Sequence, residues 1–158
     1  MKKLSIIFAL TILVCSCSRD KQVDISNEAF VVSFVPQVHL TDDGKIYFSG
    51  KSNLPEGARI LISIKDAGQT EVFVSDGIFQ SEIFSKLGKP FPVGSYEVTF
   101  SFLPNFENVS ESVKAKIAKD GSNLKGPDIR KHTFYENLQY LEKSLTFKID
   151  SNKKLAVK

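Results

Sequence analysis

The 158-residue chain contains no tryptophan, one methionine, two cysteines and two histidines. Imidazole and thiol groups are the usual catalytic nucleophiles, bases and zinc ligands, so their scarcity leaves little material for such chemistry. His39 and His132 lie on separate segments, and no Gly-x-Ser-x-Gly motif is present. We interpret His39 as a partly exposed structural residue and His132 as a loop residue. The sequence predicts a protein that is not an enzyme and has no cofactor or metal site.

Charge of one sign is also scarce, since 21 basic residues face 18 acidic ones and two of the lysines belong to the first three residues. Nucleic-acid binding needs a concentrated basic field, so we expect no nucleic-acid partner. The densest basic cluster contains acidic residues as well, which favours a solvated face over contact with anionic lipid headgroups. The cluster consists of Lys114, Lys116, Lys119, Lys125, Arg130 and Lys131, interleaved with Glu111, Asp120 and Asp128.

No apolar run is long enough to cross a bilayer, which takes about 20 residues. The run from Leu4 to Val14 is about half that length, follows the basic Met1-Lys2-Lys3, and ends at Cys15-Ser16-Cys17. This arrangement resembles the signal peptide of a bacterial lipoprotein. The resemblance implies cleavage before Cys17, a diacylglycerol thioether on its sulfur and an acyl group on its new amine.

Two alternatives remain for this leader. A plain secretory signal would leave Cys17 as a free thiol. Cys15 would be the lipidated residue if cleavage came earlier, although Leu13-Val14 lacks the small residue that precedes the modified cysteine in such signals. By resemblance, Ser18 after the lipidated cysteine favours the outer membrane over the inner one. The expected partner of acylated Cys17 is therefore the lipid bilayer of a bacterial envelope.

The predicted organisation is a signal peptide over 1–16, a lipidated N-terminus and tether over 17–28, one domain over 29–150 and a C-terminal tail over 151–158. The tether is polar and without a sustained period; it averages about 18 Å as a coil. After cleavage one cysteine remains, so no internal disulfide can brace the domain.

Alternating apolar and polar residues, separated by turn residues about every ten positions, predict a mainly β protein. We expect a single antiparallel β-sandwich of about seven strands with at most one short helix. The clearest alternation runs from Tyr96 to Phe102. The expected strands are 29–35, 45–50, 59–65, 71–75, 78–84, 96–102 and 145–149. Helical spacing predicts a helix over about 110–118, followed by a loop over 119–132, and residues 134–141 fit helix or strand, with extended structure favoured.

Turn residues at the start of the clearest strand carry a resemblance. Pro92-Val93-Gly94-Ser95-Tyr96-Glu97-Val98 resembles a strand start common in immunoglobulin-like and transthyretin-like sandwiches. A wider series is similar to small bacterial envelope modules; it consists of Asn53-Leu54-Pro55, Asp76-Gly77-Ile78-Phe79 and Gly94-Ser95-Tyr96. The resemblance implies an immunoglobulin-like sandwich fold. A fold shared by many functions does not assign one.

The long connection from Asn105 to Tyr140 contains the candidate partner surface, because a compact sandwich does not need these residues for its core. We expect a protein partner in the envelope to dock on Phe106, Phe134, Tyr135 and Tyr140. The alternative is that these rings cover a sheet edge. Two further possibilities are binding of a small ligand or glycan, and inhibition of an envelope-targeted enzyme; both would require an open concavity.

Overall fold

The computed structural model describes residues 28–104 and 109–158. The predicted leader, nearly all of the tether, Cys17 and Phe106 lie outside these residues. In the described part, the chain forms eleven strands and one short helix. The prediction of a mainly β, antiparallel, sandwich-like fold with at most one short helix is confirmed.

The elements follow one another from β1 near the start of the described chain to β11 near its end. Their bounds are β1 Phe30–Val31, β2 Phe34–Leu40, β3 Ile46–Ser52, β4 Arg59–Ile64, β5 Gly68–Phe73, β6 Ile78–Gln80, β7 Gly94–Phe102, α1 Glu111–Ile117, β8 Leu124–Lys125, β9 Ile129–Lys131, β10 Gln139–Ile149 and β11 Leu155–Val157.

Two sheets form the layers of the sandwich. The larger has the order β11-β10-β7-β4-β5, with β9 also paired to β10, and the smaller has the order β2-β3-β6. The pairings within both sheets are antiparallel, whereas β1 and β8 form a separate two-residue parallel pair.

Phenylalanine rings fill the space between the sheets. Phe100 on β7 is fully buried, and its ring centroid lies 5.8 Å from that of Phe34, 5.6 Å from that of Phe48 and 6.1 Å from that of Phe79. Phe34, Phe48 and Phe79 come from the three strands of the smaller sheet. Strict alternation along β7 thus directs every second side chain into this core, as its sequence predicts.

The extra strands relative to the expected seven are mostly short pairings. The expected first strand is split into β1 and β2, because Asn53 binds the backbone between them: its Oδ1 accepts from the Ser33 amide at 2.7 Å and its Nδ2 donates to the Val31 carbonyl at 2.8 Å. The prediction of an unbroken loop over 119–132 is wrong, since β8 and β9 lie in it. The predicted tail over 151–158 includes β11, which pairs with β10.

The predicted short helix is confirmed as α1. Ser110 accepts a hydrogen bond from the Val113 amide at 3.4 Å and so caps the start, while Val113 and Ile117 are buried. The backbone leaves helical geometry at Ala118, before the expected Gly121. Within the described residues, no helix is long and apolar enough to span a membrane.

The two ends of the sandwich differ. At the end that we call the β1 end, Leu141 of β10 pairs with Phe102 of β7, and beyond this pair lie the β1–β8 pair and the β9–β10 connection. At the opposite end, the β11 end, Ile149 pairs with Gly94, and the turns 41–45, 65–67 and 150–154 lie near it. The chain that precedes residue 28 therefore joins the sandwich at the β1 end.

Candidate functional site

The connection between β9 and β10 forms a compact loop at the β1 end. The His132 amide donates to the Leu138 carbonyl at 2.9 Å, and the Leu138 amide donates to the Tyr135 carbonyl at 3.2 Å. Leu138 is buried and anchors the loop, while Asn137 adopts the left-handed backbone conformation that closes the turn. A loop closed in this way holds its outward side chains in defined positions.

Aromatic rings gather around His132 in this loop. The centroid of its ring lies 4.8 Å from that of Tyr135 and 6.1 Å from those of Phe134 and Tyr140, and its Nδ1 accepts a hydrogen bond from the Phe134 amide at 3.1 Å. Phe134 is 87% exposed and Tyr135 is 60% exposed. We call His132, Phe134, Tyr135 and Tyr140 the aromatic hairpin.

The structure brings together three of the four residues proposed as a partner surface from the sequence. Phe134, Tyr135 and Tyr140 surround one imidazole, whereas Phe106 lies outside the described residues. Sequence reasoning treated His132 as a loop residue and missed it as the centre of the cluster. The signal was present in the short spacing of His132, Phe134 and Tyr135, which permits contact only if the chain turns there. The expectation of extended structure fits residues 139–141, while 133–138 form the loop.

The base of the aromatic hairpin is tied to the loop that follows α1. The Gln139 amide donates to the Asp120 carbonyl at 2.9 Å, and the Gln139 side chain donates to the Ser122 carbonyl at 2.9 Å. Between them, Gly121 adopts a φ of +67°, and a Cβ there would lie 2.4 Å from the Gln139 carbonyl oxygen. Glycine is therefore required on both conformational and steric grounds.

A cleft of about 320 Å³ opens between this loop and the aromatic hairpin. One wall carries the His132 and Tyr135 rings, and the others carry amide, carboxylate and ammonium groups. The lining residues are Ser122, Lys131, His132, Tyr135, Glu136, Asn137, Leu138 and Gln139. Its size lies at the lower end of the range for small-molecule sites, which is about 300 to 1,000 Å³.

The second histidine has structural contacts. His39 stacks on Tyr47 with ring centroids 4.5 Å apart, and its Nε2 lies 2.7 Å from the Ser49 hydroxyl. These contacts join β2 to β3 on the outer face of the smaller sheet. Among the described residues, no three His, Cys, Asp or Glu side chains are grouped so that they could hold a metal ion.

The acidic pair Asp42 and Asp43, near His39, belongs to the turn between β2 and β3. Asp43 forms an ion pair with Lys45, with 2.7 Å between Oδ2 and Nζ, and also accepts a hydrogen bond from the Thr41 hydroxyl. The bond from Lys45 lowers the pKa of the Asp43 carboxyl most, and the bond from Thr41 lowers it further. These contacts stabilise an ionised turn residue.

Comparison with protein-family models, with curated proteins and with solved structures finds no match to this chain. No relative assigns a role to any residue.

Proposed function

We propose that this chain is a membrane-anchored lipoprotein of a bacterial envelope, and that its sandwich is a non-enzymatic module that binds an envelope protein through the aromatic hairpin. The observation that carries the proposal is the exposure of Phe134 and Tyr135, at 87% and 60%, on a loop whose base is fixed. Aromatic side chains are enriched in the energetically dominant parts of protein interfaces. Two exposed rings that the core does not use are therefore a natural anchor for a partner.

The hairpin is suited to binding because it is already ordered. Backbone hydrogen bonds close the loop at Leu138, and Gln139 fixes its base to residues 120 and 122. Ordering a loop on association costs free energy, so a loop held in advance retains more of the energy of its contacts. The His132 ring also supports Tyr135 from one side. These features favour docking over a role limited to covering the sheet edge.

The anchor part of the proposal rests on the leader. Its basic start, short apolar run and Ser16-Cys17 junction support lipidation of Cys17. Two or three acyl chains hold a protein on a membrane, whereas one chain is marginal. Ser18 favours the outer membrane. An immunoglobulin-like relationship is supported by Tyr96, near the start of β7, whose hydroxyl donates to the Pro92 carbonyl at 2.7 Å in the manner of a tyrosine corner.

Site-specific photo-crosslinking in cells tests the partner. A photoreactive phenylalanine analogue in place of Phe134, in the full chain, should yield one discrete crosslinked envelope protein. With that protein purified, the double variant Phe134→Ala/Tyr135→Ala should weaken binding by about tenfold or more, because each lost ring removes an apolar contact of hot-spot type.

The matched control uses exposed apolar residues at the β11 end. Leu87 is 94% exposed and Ile83 is 59% exposed, so Leu87→Ala/Ile83→Ala removes two apolar side chains of similar fractional exposure from another place. This control should leave binding unchanged. Equal weakening by both double variants, or a crosslink at residue 87 to the same protein and none at 134, would contradict the assignment of the surface.

Mass spectrometry of the native product tests the anchor. Cys17 should carry the lipid, and Cys17→Ala should move the protein out of the detergent phase of a Triton X-114 partition. Cys15→Ala is the control and should leave both results unchanged. An unmodified Cys17 would disprove the lipoprotein assignment, and loss of lipid from Cys15→Ala alone would shift the modified residue.

The cleft favours a second candidate function, binding of a small polar ligand such as a saccharide. Stacking on Tyr135 with hydrogen bonds to Asn137 and Glu136 would suit a sugar ring, which has apolar faces and polar edges. Nuclear magnetic resonance titration with soluble cell-wall saccharides distinguishes the two functions. Shifts confined to the cleft and abolished by Tyr135→Ala would favour the ligand, while their absence would leave the protein-binding role.

A further inference from the structure

We infer that the β1 end carries a basic surface that contacts anionic phospholipid headgroups and so orients the domain on its membrane. The surface consists of Lys116, Lys119 and Lys125, beside the exposed Val31. The inference deepens the proposed anchoring through Cys17 by adding a second contact with the same bilayer. It assigns no role in lipid contact to the aromatic hairpin.

The position of these lysines is fixed relative to the chain that leads to the anchor. β1 pairs in parallel with β8, so Val31 lies opposite Lys125, and the Phe30 amide donates to the Asn123 carbonyl at 2.8 Å. The Asn123 side chain in turn donates to the carbonyl of Lys116 at 3.0 Å. The end of α1, β8 and the first strand thus form one connected unit at the point where the preceding chain joins the domain.

Charge pairing leaves these lysines available. Of the three acids interleaved in the basic cluster, Glu111 pairs with Lys114 at 2.8 Å and Asp128 pairs with Lys143 at 2.9 Å. The third, Asp120, accepts a hydrogen bond from the Ser122 amide at 3.0 Å. In the described part of the chain, Lys116, Lys119 and Lys125 form no ion pair and their side chains are exposed. The basic cluster that favoured a solvated face in the sequence therefore contains five cations without an ion pair in the described residues, namely these three lysines, Arg130 and Lys131.

The short chain between Cys17 and Phe30 would keep this surface close to the bilayer. Twelve residues separate Cys17 from Phe30, so the connecting chain spans at most about 45 Å when fully extended. Electrostatic attraction to anionic lipid acts within a Debye length of about 8 Å at physiological ionic strength. A domain held by a chain of this length can come within that distance of the headgroups. Anchoring thus raises the local concentration of headgroups, and a few lysines are enough to select an orientation.

A single introduced tryptophan reports this orientation, because the chain contains none. The Val31→Trp variant of the native full-chain product is placed in vesicles of phosphatidylcholine alone or with about one third phosphatidylglycerol, each containing a brominated lipid as quencher. The expected result is a blue shift and quenching in the anionic vesicles only, both reduced by salt.

Charge reversal supplies the test and its control. Lys116→Glu/Lys119→Glu/Lys125→Glu should reduce the lipid-dependent quenching by about tenfold or more. Lys65→Glu/Lys86→Glu/Lys89→Glu makes the same change in net charge at the β11 end and should leave the quenching unchanged. Equal quenching in both vesicle types, or equal loss with both triple variants, overturns the inference. A blue shift of the Val31→Trp fluorescence in whole envelopes that is absent from vesicles would assign the lysines to an acidic protein. That result would also overturn the inference.

The mass of Cys17 in the same preparation separates this inference from the proposed anchor. An acylated Cys17 without a response at Val31→Trp refutes the basic surface and leaves the anchor intact. A response in anionic vesicles from a chain with unmodified Cys17 refutes the anchor and supports the basic surface. Binding of the partner to Phe134 and Tyr135 is measured independently of both.

Discussion

The two ends of the sandwich use their residues differently. At the β11 end, tight turns connect strands, and side chains such as Tyr96 and Asp43 bind the backbone or a neighbour within four residues. At the β1 end, the chain between β7 and β10 runs through a helix, two short strands and the aromatic hairpin. The β11 end therefore contains only short connections between strands. The β1 end contains an elaborated segment, which is the chain between β7 and β10 and is longer than a strand connection requires.

This difference supports the proposal that binding residues lie at the β1 end. Exposed rings and unpaired lysines both occur in the elaborated segment, which is nevertheless held by buried apolar side chains and backbone hydrogen bonds. Binding residues on many folds lie on loops positioned by a rigid scaffold. The comparison predicts that the β1 end is part of the cooperative core at its base and is free for binding at its tip.

The largest expected effect tests the base. Leu124 on β8 is fully buried and pairs with Phe30 of β1. Leu124→Ala should lower the free energy of unfolding by about 2 to 5 kcal/mol, because it removes buried methyl groups and leaves a cavity. Urea denaturation followed by circular dichroism measures the loss.

Leu141→Ala on β10, also fully buried, is the reference for a residue of the main sheet. A loss below about 1 kcal/mol for Leu124→Ala beside a full loss for Leu141→Ala would show that the elaborated segment folds apart from the sandwich. The comparison of the two ends would then describe a core and an appendage.

The sequence predicts the regular part of the molecule well, for a physical reason. On β7 and over residues 145–149 of β10, apolar and polar residues alternate because one face is buried and the other is not, so the pattern records the sheet directly. The first half of β10 is not predicted as part of this strand, because Lys143 interrupts its apolar face. β8, β9 and β11 escape prediction because two- or three-residue strands bury too little to impose a pattern. Their pairing is decided by distant partners, such as Phe30 for Leu124, which a local pattern does not contain.

The candidate site is predictable in part for the same reason. Aromatic residues in a long connection identify Phe134 and Tyr135 as candidates, because the core of a compact sandwich does not need that connection. The grouping around His132 depends on the turn at Asn137 and on the hydrogen bond from the Phe134 amide. Such contacts follow from backbone geometry, which the residue types permit but do not specify.

A smaller effect is expected at the β11 end. Tyr96→Phe removes the hydrogen bond to the Pro92 carbonyl and should cost about 0.5 to 1.5 kcal/mol of stability. Burial raises the pKa of Tyr96, so its contribution is complete below the ordinary tyrosine pKa and is lost as the pH rises through the folded-state value. Urea denaturation at neutral and alkaline pH tests both statements.

Tyr47→Phe is the control, since the Tyr47 hydroxyl forms no hydrogen bond within the described residues. An equal loss of stability from both variants would show that the hydrogen bond of Tyr96 makes no specific contribution.

The smallest effect concerns the turn at Asp43, where a short-range pair is exposed to solvent. Because Lys45 and then Thr41 lower the pKa of Asp43, its ionised form stabilises the folded state. That contribution is complete above the ordinary aspartate pKa and disappears as the pH falls through the lowered folded-state pKa.

Asp43→Asn should therefore reduce stability slightly at neutral pH and not at all in strong acid, as measured by the midpoints of urea denaturation at the two pH values. Asp42→Asn, which removes a neighbouring carboxylate with no ion pair among the described residues, should leave the difference between the two midpoints unchanged. If Asp43→Asn reduced stability more in acid than at neutral pH, the pH dependence would have the opposite sign. The pair of Asp43 and Lys45 at the β11 end would then not stabilise the fold.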